Sequence, residues 1–498
     1  MGVCSMKKRY YLSLSVGAFC LFMAMVSLWH PSEPKEEQES QSAMVDVVSD
    51  KEYSAVTSEK ERTHYRIDAR YDESSRFVDG KLRVHIPNHD APKWEKVYFH
   101  LFPNAFRDWA FNKAAAPETE GHIEVDHVRV NGKAIKPKIE KTLMTLELPQ
   151  PLPKGKKAEV EMDFSVKLPT GAMRLNHVDN TAFLAQWYPM LAVYDDDGWH
   201  TDPYTTIGDP FYTDMADYTV SLKVPRGYRV ISSADDSLKG SSSTVRLAQQ
   251  NIRDFAVVIT KDYKVKRGKV GNTDVNVWYR QEMEDVVDEL LAAAQKGLHF
   301  FNEKFGPYAY PEVDVVLGES GHGIAGMEYP GLVTSLDRVS TRDGEEAAVN
   351  VVVHELAHQW WYGMVGNNQV KEPWLDEGLT TFSESLYMSE VEGRPEQPLF
   401  KKAVMSSEQV HAKKGLTVVQ PVYAYPEQLY ALMVYVRPAA MLWDLSEQIG
   451  LEKVVDILHA YFDQYRGKTA TTEDFIRVAG EVSGKDLKPF FNQWLYFK

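Results

Sequence analysis

HELAHQWWYGMVGNNQVKEPWLDEGLTTFSE, residues 354–384, is the stretch from which the rest of the chain can be read. His354 and His358 are four residues apart, and on a helix that spacing sets both side chains on one face, one turn apart, where they can share a metal ion. Glu355 stands beside them. An HExxH pattern alone also fits a buried helix with two incidental histidines. The second half of the stretch weighs against that reading, because a helical WLDEGLTTFSE offers Glu377 as a third ligand nineteen residues after His358. A loop of that length lets an antiparallel helix return to the metal. Two imidazoles and one carboxylate leave a fourth position to water, the open geometry of a catalytic zinc, one Zn2+ per chain. Glu384, two turns after Glu377, faces the same way and could orient a ligand histidine, although a solvent-facing helical carboxylate is its ordinary reading. Zinc lowers the pKa of its water and Glu355 is the general base, so the chemistry expected is amide hydrolysis through a tetrahedral intermediate.

Outward from this stretch the hydrophobic period divides the chain. Residues 62–264 alternate as strands do, with Tyr65, Ile67, Ala69 and Tyr71, and with Val160, Met162, Phe164, Val166 and Leu168. Asp79-Gly80 and Asn131-Gly132 read as tight turns between such strands. The expectation is a large, mostly antiparallel β-domain. Residues 265–498 switch to helical spacing, as in Val287, Leu290, Leu291, Ala294, Leu298 and Phe301 ahead of a Gly306-Pro307 stop. Further helices are expected over 345–364, 377–391, 435–449 and 451–465, and Thr471 with Asp474 forms a capping box for another.

Lys7, Lys8 and Arg9 precede an apolar run over residues 10–29, long enough for a transmembrane helix that keeps residues 1–9 in the cytoplasm. Met25, Val26, Leu28 and Trp29 crowd its exit, unlike the small residues of a cleavage site, so a lipid-embedded anchor is favoured over a signal peptide that releases a secreted body. Residues 30–61, rich in Glu, Ser, Gln and Lys, read as a disordered tether. The body then lies outside the cytoplasm. Both cysteines, Cys4 and Cys20, fall in this segment, so a metal site in the body has only histidine and carboxylate to use. A net charge of −15 argues against nucleic acid as a partner. Oligomeric state is not readable.

HELAHQWW and WLDEG together resemble the zinc signature of the aminopeptidase N family, gluzincins that include the leukotriene hydrolase. GIAGMEYPG, residues 323–331, is similar to that family's GxMEN segment, with Ala325 and Tyr329 where the family commonly has Gly and Asn. The resemblance implies that Gly326, Met327 and Glu328 line the substrate site and that Glu328 binds the free α-amine of a peptide. A carboxylate near the zinc would do so by pairing with an ammonium and fixing which peptide bond meets the metal. It further implies Tyr435, in Tyr435-Val436-Arg437-Pro438 where the family commonly has Tyr-x-Lys-Gly, as donor to the oxyanion. Tyr423, Tyr425 and Tyr430 stand nearby as alternatives. Gln186 in FLAQWYP occupies the place of a family glutamine directed at the substrate amine. The family fold would be an α+β, multidomain one: an N-terminal antiparallel β-sandwich or saddle docked on a thermolysin-like, mainly helical zinc peptidase domain. Larger members continue with a further helical domain, so the cleft is expected to be more open or covered by another subunit. The implied activity is zinc-dependent removal of N-terminal residues from peptides with a free N-terminus. The alternatives are a zinc endopeptidase of the same fold, and an inactive cell-surface binding protein, for which damage at Glu355 or a ligand would be expected and none is visible.

Overall fold

A computed structural model describes residues 61–235, 243–318, 325–339 and 341–498. The anchor, the cytoplasmic tail and nearly all of the tether lie outside these residues. No helix among the described residues is long and apolar enough to cross a membrane.

The alternating sequence of the first half folds as alternation predicts. In strand Thr63–Asp72, Tyr65, Ile67, Ala69 and Tyr71 are buried while Arg66, Asp68 and Arg70 face water. This strand sits inside a seven-stranded sheet that also holds Phe77–Pro87, His122–Val130, Lys157–Lys167, Ala216–Lys223 and Thr244–Ile252. Its pairs are antiparallel except for Thr63–Asp72 with Ala216–Lys223, which run parallel. Two four-stranded sheets, one of them built on Leu175–Val178, Thr181–Leu184, Arg229–Ser232 and Val257–Thr260, and a two-stranded one of Tyr194–Asp195 and Gly198–Trp199 complete the β-region. Sheets of this kind hold together by burying one face, each fully buried apolar side chain contributing roughly 1.5–3 kcal/mol. Asn131 and Gly132, both at positive φ, make the expected turn.

Asp79-Gly80 does not turn. Both residues lie within strand Phe77–Pro87, paired with Arg70 and Ala69, and the chain reverses earlier, between the strands that end at Asp72 and begin at Phe77. The glycine has a packing role: a Cβ at Gly80 would come within 2.3 Å of Phe164 Cζ, so the ring covers the bare backbone.

A further four-stranded sheet, absent from the reading of a mainly helical region, opens the second half. Its strands are Lys264–Val270, Thr273–Tyr279, Glu312–Leu317 and Leu332–Ser335, antiparallel for the first pair and parallel thereafter. Glu312–Leu317 is buried at every position, so a short apolar run with no alternation conceals it from a periodicity argument. Helices α1 (Val287–Phe305), α2 (Arg342–Ala357), α3 (Trp374–Glu390), α4 (Gln397–Lys414), α5 (Glu427–Ala431), α6 (Arg437–Ile449), α7 (Leu451–Tyr465), α8 (Thr472–Ser483) and α9 (Lys488–Tyr496) pack beside it. Of these α4, α5 and α9 were not expected. The predicted helix over 345–364 ends at Ala357, since its chain turns sharply through Gln359–Gly363, with Tyr362 at φ 102°. The helix expected from Tyr435 begins only at Arg437, with Pro438 in its first turn, and Tyr435 lies in a π-helical turn, Leu432–Val436. The capping box of Thr471 and Asp474 is formed.

Candidate active site

Helix α2 carries His354 and Glu355 in its last turn, with His358 as the residue that closes it. Helix α3 carries Glu377 in its first turn, where the helix dipole favours a carboxylate. The two helices are fastened by Trp361, whose indole N–H donates to Ser383 Oγ at 2.8 Å, while Trp360 donates to the Gly306 carbonyl at the end of α1. The repeated tryptophan of HELAHQWW therefore sets the approach of α2 to α1 and α3.

The three expected ligands converge. Nε2 of His354 and Nε2 of His358 are 3.2 Å apart, and Glu377 Oε2 lies 3.5 and 3.3 Å from them. A tetrahedral metal with bonds of about 2.0–2.1 Å separates its ligands by about 3.3–3.4 Å, so these atoms form one face of a zinc tetrahedron. Each histidine is turned outward to a carboxylate: His354 Nδ1 is 2.9 Å from Glu384 Oε2, and His358 Nδ1 is 2.7 Å from Asp376 Oδ1. Thr380 Oγ1 and the Trp361 carbonyl also approach His358 Nδ1. Glu384 is thus buried beside His354 and not a surface carboxylate. Asp376 has the same part toward His358; it sits next to Glu377 in WLDEG, and its adjacency to a ligand was the only signal for it.

The charges of the cluster favour positive charge at its centre. Burial disfavours a charged His354, yet Glu377 and Glu384 outweigh it and raise its pKa to about 9. Burial likewise opposes ionisation of Glu377, but the two histidines bring it down to about 2. Zinc would take the place of the imidazole protons. Glu355 is buried and pushed up to about 7 by that burial, which brings a carboxylate into the range of a general base near neutrality. Burial, then the Asp209 charge, raise Glu328 well above the carboxylate range.

Gly326 and Met327 meet strand Leu332–Ser335, with Met327 and Thr334 exchanging backbone hydrogen bonds of 3.4 and 2.8 Å. Gly326 faces the general base so closely that a Cβ would fall 2.5 Å from Glu355 Oε1 and 2.7 Å from the Thr334 carbonyl. Glycine is required there by close approach, not by φ. Glu328 follows, with one oxygen close to Glu355 and His358 ligand atoms, all within 4.8 Å of one another. Gln359, the residue after the second histidine, pins this segment by accepting from Gly331 N at 2.8 Å and donating to the Tyr329 carbonyl at 3.2 Å. Tyr329 is buried in the apolar cluster that also holds Phe183, Trp278 and Met327, so an aromatic ring is accommodated where the family commonly has Asn.

Tyr435 is buried, its ring stacked on His354 at 6.0 Å, and its hydroxyl donates to Glu377 Oε1 at 2.5 Å. The π-helical turn aims it at the metal ligands. Of the alternatives, Tyr423 is exposed and Tyr425 donates to the carbonyls of Thr417 and Val418, which leaves Tyr430, edge-on to Tyr435. Gln186 adopts a left-handed φ of 47° and donates to Asp254 Oδ2 at 2.6 Å. Asp254 in turn accepts from Tyr188 and from its neighbour's backbone N–H. A cavity of about 1500 Å³ elsewhere, lined by Asp195, Trp199, Asn368 and Lys371 among others, contains none of these site residues.

Residues 290–494 match the Peptidase family M1 domain. Among curated relatives, Aminopeptidase 2, mitochondrial, of Saccharomyces cerevisiae is 27% identical over 58% of this chain, and Aminopeptidase N of Lactococcus lactis 26% over 48%. Aminopeptidase B of Rattus norvegicus is 23% identical over 56%. The chain spans 31%, 30% and 45% of the lengths of these relatives. An M1 zinc metallopeptidase from Deinococcus radiodurans superposes on 88% of this chain and 94% of its own, with a TM-score of 0.61 at 16% identity. That likeness is one of fold, and it covers the β-region and the helical region together.

Proposed function

We propose, from the match of residues 290–494 to the Peptidase family M1 domain and from the geometry of the site, that the chain is a zinc-dependent aminopeptidase removing N-terminal residues from peptides. The observation that carries this reading is Glu328 Oε1, buried beside the metal triad and without a hydrogen-bond partner among the described residues. A buried carboxylate oxygen left unpaired is costly, and an incoming ammonium would satisfy it. Anchoring the amine there fixes the first peptide bond over the metal ligands and excludes internal bonds.

His354, His358 and Glu377 would hold one zinc per chain, which supplies Lewis acidity toward the scissile carbonyl and makes water more acidic. Glu355 takes the proton of the attacking water and returns it to the leaving amine. Glu384 and Asp376 hold the two imidazoles in register. Tyr435, released from Glu377 as charge develops, donates to the oxyanion. Gln186, its amide N–H₂ committed to Asp254, would offer its carbonyl oxygen to the substrate amine.

The apolar run at residues 10–29 supports a lipid-embedded anchor with the catalytic region outside the cytoplasm, or secretion after cleavage. The endopeptidase and binding-protein readings meet the same test. Free and N-acetylated aminoacyl peptides are offered to purified residues 60–498 with zinc determined on the same sample. Hydrolysis of free amines alone, with one zinc and a silent Glu355→Gln variant, is expected. Cleavage of blocked peptides would favour the endopeptidase, and bound zinc without hydrolysis the binding protein.

A further inference from the structure

A buried ionic pair at the edge of the site has no part in the scheme above. Asp209 and Arg174 are 5% and 4% exposed and joined through Asp209 Oδ1. Such pairs stabilise little, because desolvating both charges offsets most of their attraction. Its placement is nonetheless held from several sides. Arg174 adopts a left-handed φ of 65°, lies over the Phe211 ring at 5.2 Å, and donates to the sulfurs of Met173 and Met327 at 3.0 and 3.3 Å. Met327 is the residue before Glu328. Gly208, before Asp209, has φ 62° and packs so near Tyr430 that a Cβ would come within 2.3 Å of its hydroxyl.

These contacts bring Asp209 into a triangle. One carboxylate oxygen each from Asp209, Glu328 and Glu377 lie within 4.8 Å of one another. Three points no farther apart than that share a centre at most about 2.8 Å from each (4.8 Å divided by the square root of three), within reach of an N–H···O bond. A primary ammonium presents three N–H groups in a tripod. Glu328, a member of this cluster, also carries the buried Oε1 that has no hydrogen-bond partner among the described residues, which independently calls for a cation.

We infer that Asp209 is a third acceptor for the α-ammonium of the substrate, completing with Glu328 and Glu377 a three-carboxylate socket, and that Arg174 is the positioning residue that aims it. The inference rests on the aminopeptidase reading. It assigns recognition of the amine to both halves of the molecule. It also predicts that the socket counts N–H groups, since each acceptor takes one.

The test uses the full chain, an aminoacyl p-nitroanilide, its N-methyl and N,N-dimethyl derivatives, and the 2-hydroxyacyl counterpart that lacks the amine. Preference of the parent protein for amine over hydroxyl is read first, and its absence overturns the aminopeptidase reading itself. Given that preference, one N-methyl group should raise KM about tenfold and two should raise it further, as hydrogen bonds to charged groups are lost. An N-methyl substrate that binds as well as the primary amine overturns the socket without any variant having to fold. Asp209→Asn should lower the amine-over-hydroxyl ratio of kcat/KM about tenfold through KM, with zinc retained. Arg174→Gln should do the same and Arg174→Lys less. An equal loss on both substrates, an unmoved ratio, or a second metal ion per chain removed with recovery of the ratio would overturn the assignment.

Discussion

The two halves of the site are built differently. The metal half stands on α2 and α3, where His354, His358, Glu377 and Glu384 occupy regular helical positions and their separations follow from a fixed rise and turn. The half proposed to meet the substrate stands on irregular backbone: Gln186 and Arg174 at positive φ, Asp209 after a positive-φ glycine, and Glu328 on a segment pinned by Gln359. Reaction chemistry needs ligand distances fixed to a few tenths of an ångström, and helices supply that rigidity. Recognition of a peptide end needs acceptors converging from several directions, and loops supply that reach at the cost of many supporting contacts.

The sharpest way to break this comparison lies where the halves touch. Gly326→Ala would press a methyl group to within 2.5 Å of Glu355 Oε1 and 2.7 Å of a backbone carbonyl that cannot give way. Displacing the general base by such a distance should lower kcat about 100-fold with zinc still bound, measured by steady-state hydrolysis beside metal analysis. Unchanged kcat would mean that the substrate-side backbone yields and that the two halves are mechanically independent. Next in size, Glu384→Ala leaves His354 Nδ1 without its carboxylate and should weaken zinc about 10- to 100-fold, read by competition against a chelator. Loss of amine selectivity instead of zinc in this variant would erase the division of labour between helix and loop.

The same contrast decides what the sequence revealed. Spacing paired His354 with His358, because four residues on a helix have one geometric meaning, and the second helical stretch nineteen residues on offered Glu377 as the third ligand. The alternation that identified strand Thr63–Asp72 worked for the same reason, with one face buried and the other wet. Asp79-Gly80 misled because a glycine under Phe164 and a glycine in a turn look alike until the partner strand is known. The sheet around Glu312–Leu317 escaped because strands buried on both faces carry no period. Helix α4 escaped too, with only Phe400 and Ser407 buried and so no apolar stripe to announce it. Arg174, Asp209 and Asp254 had no local signal: their partners are 35, 35 and 68 residues away along the chain.

The finest test concerns Asp254, a fully buried residue of the loop half that accepts from Gln186, Tyr188 and Phe255 N–H. Burial raises its pKa from the usual 3.8 to about 6, while bonds from Phe255 N–H, Gln186 and Tyr188 partly restrain that rise. A carboxyl held above its unfolded value favours folding only while protonated. Its contribution is present below about pH 4 and is lost as pH rises through about 6, a difference of about 3 kcal/mol. Asp254→Asn removes that loss, so the variant should gain stability relative to the parent between pH 4 and pH 7, followed by urea denaturation at both. Activity should move the other way. The new amide must keep accepting from Phe255 N–H and Tyr188, which turns its N–H₂ toward Gln186 and forces the glutamine to flip. On the proposal that the Gln186 carbonyl oxygen accepts from the substrate ammonium, the flipped amide would present N–H groups there instead, and KM should rise several-fold with kcat nearly constant. A variant that is stabler yet binds amines as before would show that Gln186 is a packing residue, and amine recognition would then rest on the carboxylates alone.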